Sequence, residues 1–274
     1  MRRRISTAAA TALVTAMTAV AIGVIGSTSA PLRAESDNSC AGLPTYTELK
    51  QKLIEASFST NYTGTNRGFG NNMWATIVNR DGVVCAVAFT GSDRGAQWPG
   101  SRVISAQKAN TANAFTLATL ALSTANLYPL VQPGASLFGL QDSNPVSTDV
   151  AYKGPSSNYG QPNDPMVGSK IGGVNVFGGG LALYAVGKKI VGAIGVSGDT
   201  SCADHNIAWR VRNNLGLDHL LGVGGVSGDF TRPDNIVFDI VPNPNGGTGV
   251  SAGGFGHPTC LHTAGSDALP PVQP

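Results

Sequence analysis

The sequence predicts an α+β fold, an antiparallel sheet with helices packed on it in a single domain. Three observations predict it. Two pairs of apolar, β-rich runs (74–78 with 83–89, and 181–186 with 190–196) each flank a short turn carrying glycine, which is the signature of a hairpin. Three segments (45–57, 102–125 and 200–215) read as helices, and they alternate with the hairpins. Strands joined by tight turns pair antiparallel, so helices interleaved with hairpins give layers of helix on sheet. The 36 glycines and 16 prolines place much of the remaining chain in turns and ordered loops, against a helical bundle.

The first element lies outside this domain. Arg2, Arg3 and Arg4 precede an apolar run over 8–25, and small residues follow at 26–30 with a further candidate exit at Ala34. That order describes a secretory signal peptide over 1–34, and it places the mature protein outside the cytoplasm, secreted or periplasmic. A permanent span needs about 20 apolar residues, and Thr11, Thr15 and Thr18 dilute the run, so no stable membrane span is expected after cleavage. The arginines do not distinguish general export from the twin-arginine route.

In the segment 45–57, Tyr46, Leu49, Leu53 and Ala56 recur at helical spacing, and Thr45 with Glu48 fits a capping box. The strands 74–78 and 83–89 surround Asn79-Arg80-Asp81-Gly82, whose Asp-Gly pair suits a tight turn. Ser101 is a plausible N-cap for a long helix over 102–125, a stretch free of Gly and Pro whose small residues imply close packing on a sheet. Residues 128–168 are rich in Pro, Gly, Ser and Asn, and a loop of that length tends to be a binding loop, lid or oligomer contact. The second hairpin turns at Gly187-Lys188-Lys189, the helix at 200–215 stops at Gly216, and 235–241 reads as a last strand. The domain thus runs from 44 to 222 with a loop insertion at 128–168, and 223–274 is a C-terminal extension packed on it.

Four cysteines, Cys40, Cys85, Cys202 and Cys260, lie far apart with no C-x-x-C pair. In an exported chain an even count reads as two disulfides, with three possible connectivities. Cys40–Cys85 and Cys202–Cys260 are favoured, because the first ties the mature N-terminus to a strand and the second pins the C-terminal segment to the core. Charged residues make up 12% of the chain with a formal net charge of +2 and no basic stripe, so nucleic acid is not expected as a partner.

Three segments together resemble the GlcG/HbpS-like family of haem-binding and haem-degrading proteins. They are Val78-Asn79-Arg80-Asp81-Gly82-Val83-Val84; Pro99-Gly100-Ser101-Arg102 with Ile104-Ser105-Ala106-Gln107-Lys108-Ala109-Asn110-Thr111-Ala112; and Ile190-Val191-Gly192-Ala193-Ile194-Gly195-Val196-Ser197-Gly198-Asp199 with Asp204. The resemblance covers about 44–222. It implies a profilin-like α/β sandwich, assembly as a homo-oligomer, and haem as the cofactor. One branch of that family ligates iron through a histidine of the first helix, and 45–57 contains none.

A histidine-based iron or metal site must therefore use His205, His219, His257 or His262. On the helix at 200–215, His205, Trp209 and Arg212 share one face and would make a haem edge: a ligand, a covering indole and a cation for a propionate. The competing reading is that His205 and Trp209 are packing residues beside Cys202. In His257-Pro258-Thr259-Cys260-Leu261-His262 two histidines flank a cysteine at metal-ligand spacing. A Cys202–Cys260 bridge would draw His257 towards His205, giving a cluster of up to three imidazoles with His262, and would remove Cys260 as a thiolate ligand. Ser197 is not a nucleophile elbow, because Asp199 stands where G-x-S-x-G requires glycine. No phosphate-binding glycine motif is present.

The expectation is an exported haem-binding protein that sequesters haem or promotes its oxidative degradation, the alternative being a non-catalytic oligomeric module that binds another small molecule.

Overall fold

The computed structural model describes residues 39–58, 66, 68–247, 249–261 and 269–274. Its main elements are α1 (Tyr46–Phe58), β1 (Trp74–Asn79), β2 (Val84–Phe89), α2 (Ser101–Phe115), the single turns α3 (Leu140–Ser143) and α4 (Thr148–Ala151), β3 (Gly180–Ala185), β4 (Lys189–Ser197), α5 (Ser201–Asn214), and a small β5 (Ile240–Val241) with β6 (Val250–Ser251). The segment at 1–34 read as a signal peptide lies outside the described residues.

The four main strands form one antiparallel sheet in the order β2-β1-β4-β3. Helices cover both faces. Leu49, Leu53 and Ala56 of α1 and Ile207, Ala208 and Val211 of α5 pack with Ala75, Ile77, Leu181, Leu183, Ile194 and Val196 on one side. Val103, Ala106, Ala109 and Ala112 of α2 pack with Trp74, Val78, Val87, Phe89 and Ala193 on the other. Successive strand residues point to opposite faces, which is why β1 is buried along its whole length. Small residues let α2 come close: a Cβ on Gly195 would lie 1.9 Å from the Ser105 carbonyl, so only glycine fits at that crossing.

Local signals hold where they act over a few residues. The Thr45 amide donates to Glu48 Oε2 at 2.8 Å, and the Glu48 amide donates back to Thr45 Oγ1 at 3.4 Å, a capping box for α1. Gly82 sits at φ +77° in the first hairpin and Gly187 with Lys188 at +78° and +62° in the second. Thr200 caps α5 by accepting from the Ala203 amide, and Gly216 adopts φ +63° just beyond that helix.

Three boundaries differ from the sequence reading. Ser101 is the first residue of α2, not its cap; Gly100 holds that place. The predicted helix over 102–125 ends at Phe115, and Thr116 is extended. Thr116 Oγ1 donates to the Leu122 carbonyl, and Ser123 with Asn126 then closes a new capping box on a 3-10 turn, Thr124–Leu127. Side-chain bonds to the backbone thus replace the helix's own ladder. The strand expected at 235–241 is reduced to Ile240–Val241 paired with β6.

Both favoured disulfides form, Cys40–Cys85 and Cys202–Cys260. The second ties the chain near the tail to the N-terminus of α5. Among the described residues no helix is long and apolar enough to cross a membrane.

Candidate functional site

The N-termini of α2 and α5 both open towards the end of β4, because β4 leads into α5 through Gly198-Asp199-Thr200 and α2 crosses the same strand. Between them lies a cleft of about 250 Å³ lined by Trp98, Gly100, Ser101, Ile104, Lys108, Phe177, Ser197, Asp199, Ser201 and Asp204. Its rim is aromatic and exposed: Trp98 is 53% accessible and Phe177 45%. Phe69 meets the Trp98 ring edge-on at 6.3 Å.

The floor is polar. Lys108 Nζ donates to Asp204 Oδ2 at 2.7 Å and to the Val196 carbonyl at 3.1 Å, and both side chains are almost fully buried. Burial raises the Asp204 pKa to about 6, against the opposing pull of Lys108. Asp204 Oδ1 accepts from the Asp199 amide. The Asp199 carboxylate accepts from the amides of Phe69, Asn71 and Thr200, which pins the loop ahead of β1 to the start of α5. Ser101 and Ser197 are buried, yet their hydroxyls make no hydrogen bond among the described residues. Ser201 Oγ accepts from the Gly178 amide at 2.6 Å and lies 2.8 Å from His257 Nε2.

The sequence-predicted residues fall as follows. His205, Trp209 and Arg212 do share one face of α5: the His205 and Trp209 rings are 6.0 Å apart, and the Arg212 guanidinium lies 4.6 Å from the Trp209 ring. That face points into the protein, however, and all three are 0% exposed. Arg212 is held by Asp234 through two bonds, at 2.6 and 2.9 Å, and by the Ala182 carbonyl. Trp209 Nε1 donates to the Pro270 carbonyl. Neither His205 nitrogen reaches hydrogen-bond geometry, although Asn235 comes near enough to favour the protonated ring slightly. Burial dominates and drives its pKa down to about 3. The open haem edge is thereby corrected: sharing one helix face does not reveal whether that face looks out or in.

His257 is also buried, with its pKa lowered to about 4 chiefly by burial. Its Nδ1 bonds the Pro258 carbonyl at 2.7 Å and its Nε2 bonds Ser201. Cys202, His257 and Cys260 come together, their ligand atoms within 4.8 Å of one another, but the two sulfurs are joined as a disulfide. His257 lies near enough to His205 to disfavour its charged form, and His262, the third imidazole expected there, lies outside the described residues. His219, half-buried, bonds the Pro274 carbonyl through Nδ1.

The rim residues Trp98 and Phe177 escaped sequence reasoning, since isolated aromatics in loops carry no periodic signal. Lys108, Ser197, Asp199 and Asp204 stood in the segments that carried the family resemblance, and nothing local distinguished them from turn and core residues.

The fold is an α/β sandwich with a cleft at one end of its sheet, where the N-terminal ends of two helices come together. The chain belongs to the HbpS-like family: the family described as haem degrading protein HbpS-like matches residues 61–212, more than half of its length. Three solved structures are similar to it. A PduOC:haem complex is 22% identical, with 62% of this chain and 94% of that one covered and a TM-score of 0.40. The protein ORFY of Klebsiella pneumoniae is 23% identical over 62% and 89%, with a TM-score of 0.40. A double mutant of Streptomyces reticuli HbpS is 17% identical over 63% and 86%, with a TM-score of 0.39. No curated protein matches the chain.

Proposed function

We propose that this protein binds haem outside the cytoplasm, and that it does so at the cleft between α2 and α5 rather than along His205, Trp209 and Arg212. The observation that carries this reading is the exposed aromatic rim of Trp98 and Phe177 above a floor of buried hydrogen-bonding groups. An apolar macrocycle edge suits the rim, and acidic substituents suit the hydroxyls of Ser101 and Ser197 and the Lys108 ammonium, which has one proton beyond its bonds to Asp204 and Val196. An imidazole-ligated iron does not suit the site, because His205 and His257 are both buried and neither lines the cleft. Redox chemistry would belong to the bound group; this chain's part is to shield its edge and hold its acids. Two disulfides are compatible with an oxidising compartment.

A second reading, a non-haem small-molecule module, is favoured by that lack of an available imidazole at the cleft. Haemin titration followed at the Soret band separates the two. A saturable shift is expected in the mature protein, retained by His205→Leu and weakened at least about tenfold by Trp98→Ala with Phe177→Ala, the scale of burying one aromatic side chain. A shift unaffected by the aromatic pair would move haem to another surface. No saturable shift would overturn haem binding and leave the second reading.

A further inference from the structure

The geometry points to a second site, beside the cleft: a metal-binding centre made of Cys202, His257 and Cys260 that the disulfide holds shut and reduction opens. One ligand atom from each of these residues, the two sulfurs and a ring nitrogen of His257, lies within 4.8 Å of the others. Four-coordinate zinc, with bonds of about 2.0–2.3 Å, places neighbouring ligand atoms about 3.3–3.8 Å apart. The sulfurs must part and the imidazole close in by about 1–2 Å, a movement of side-chain scale for cysteines whose Cα atoms are 5.9 Å apart.

Two features beyond proximity mark these residues as ligands in waiting. Pro258 O can only accept, so the bond at 2.7 Å puts the proton on His257 Nδ1 and leaves the lone pair on Nε2. A ring N–H donated to a backbone carbonyl is the arrangement that orients metal-bound histidines. The Cys202 amide donates to Cys260 Sγ at 3.1 Å, and Cys202 is the second residue of the 14-residue α5. An amide donor and a helix N-terminus both favour thiolate over thiol.

The chemistry balances with a dithiol reductant. The dithiol delivers two electrons and two protons to the Cys202–Cys260 bond and closes to its own disulfide. A divalent soft cation then displaces the two thiol protons, takes the Nε2 lone pair from its bond with Ser201, and completes four-coordination with solvent. Loading therefore also removes the imidazole partner of a residue in the cleft wall.

The test uses Co²⁺ as probe with the full mature chain, oxidised or reduced, and a parallel chain carrying Cys40→Ser and Cys85→Ser so that only one cysteine pair can respond. Circular dichroism of the reduced protein checks that the fold persists. The expected result is one equivalent of Co²⁺ bound only after reduction, with a thiolate charge-transfer band and tetrahedral d–d bands in both chains. His257→Ala should weaken binding by at least about tenfold. The proposal is overturned if the folded, reduced protein shows no charge-transfer band, if the band vanishes in the Cys40→Ser/Cys85→Ser chain, or if His257→Ala binds as tightly as the parent. None of these outcomes depends on haem.

Discussion

Two buried polar residues set how the protein responds to acid. His205 has a folded pKa near 3 and His257 near 4, against an ordinary 6.5. The unfolded chain therefore binds protons that the folded one refuses, and stability present at neutral pH drains away as pH falls below about 6.5. Asp204 acts in the opposite direction: its raised pKa of about 6 against 3.8 means the folded form protonates first, which offsets part of the loss between about pH 6 and 4. In His205→Leu, the slope of unfolding free energy against pH between 6 and 4 should fall by about one proton, as measured by denaturant titrations across that range. The pair Lys108–Asp204 makes a second prediction. Lys108→Met leaves a buried carboxylate without its cation and should cost about 3–5 kcal/mol at pH 7, whereas Lys108→Met with Asp204→Leu should recover most of that loss. Equilibrium unfolding of the two variants decides it. The lysine and the aspartate were both visible in the sequence, but 96 residues separate them, and no local pattern announces a pairing at that distance.

Among the elements, α1 was legible from its helical spacing and the capping box at its start, and α5 from the glycine stop just beyond its end. The end of α2 was not. The absence of Gly and Pro after Phe115 leaves a helix permitted without requiring it, and the Thr116–Leu122 and Ser123–Asn126 bonds settle the matter. The C-terminal residues 269–274 are structural in a way that their composition hides: Leu269 and Val272 enter the core, and Pro270 accepts the Trp209 indole N–H. Deleting them should cost about 3–6 kcal/mol, from two apolar side chains at about 1.5–3 kcal/mol each. It should also red-shift tryptophan fluorescence as Trp209 meets water.

At the scale of the whole molecule, the Cys202–Cys260 bridge closes a sequence separation of 58 residues, and in the chain-entropy model that constraint contributes about 4 kcal/mol. Cys202→Ser with Cys260→Ser should lower the unfolding free energy by an amount of that order, with guanidinium titration under non-reducing conditions as the measurement. The bridge also determines which side chains the tail brings to α5: His257 reaches Ser201, and with it the cleft.

Taken by itself, the sequence determined the alternation of helix and hairpin, the antiparallel sense of the sheet, the two turns, the capping box of α1 and the glycine stop after α5, because each rests on interactions spanning a few residues. The side of α5 that faces inward was decided only by packing. Its His205, Trp209 and Arg212 fill the space between sheet and tail, and Asp234, 22 residues away, neutralises the arginine there. The cleft was likewise decided only in three dimensions. Its rim comes from two loops and its floor from α2, β4 and α5, segments that the sheet brings together and that the linear chain keeps far apart.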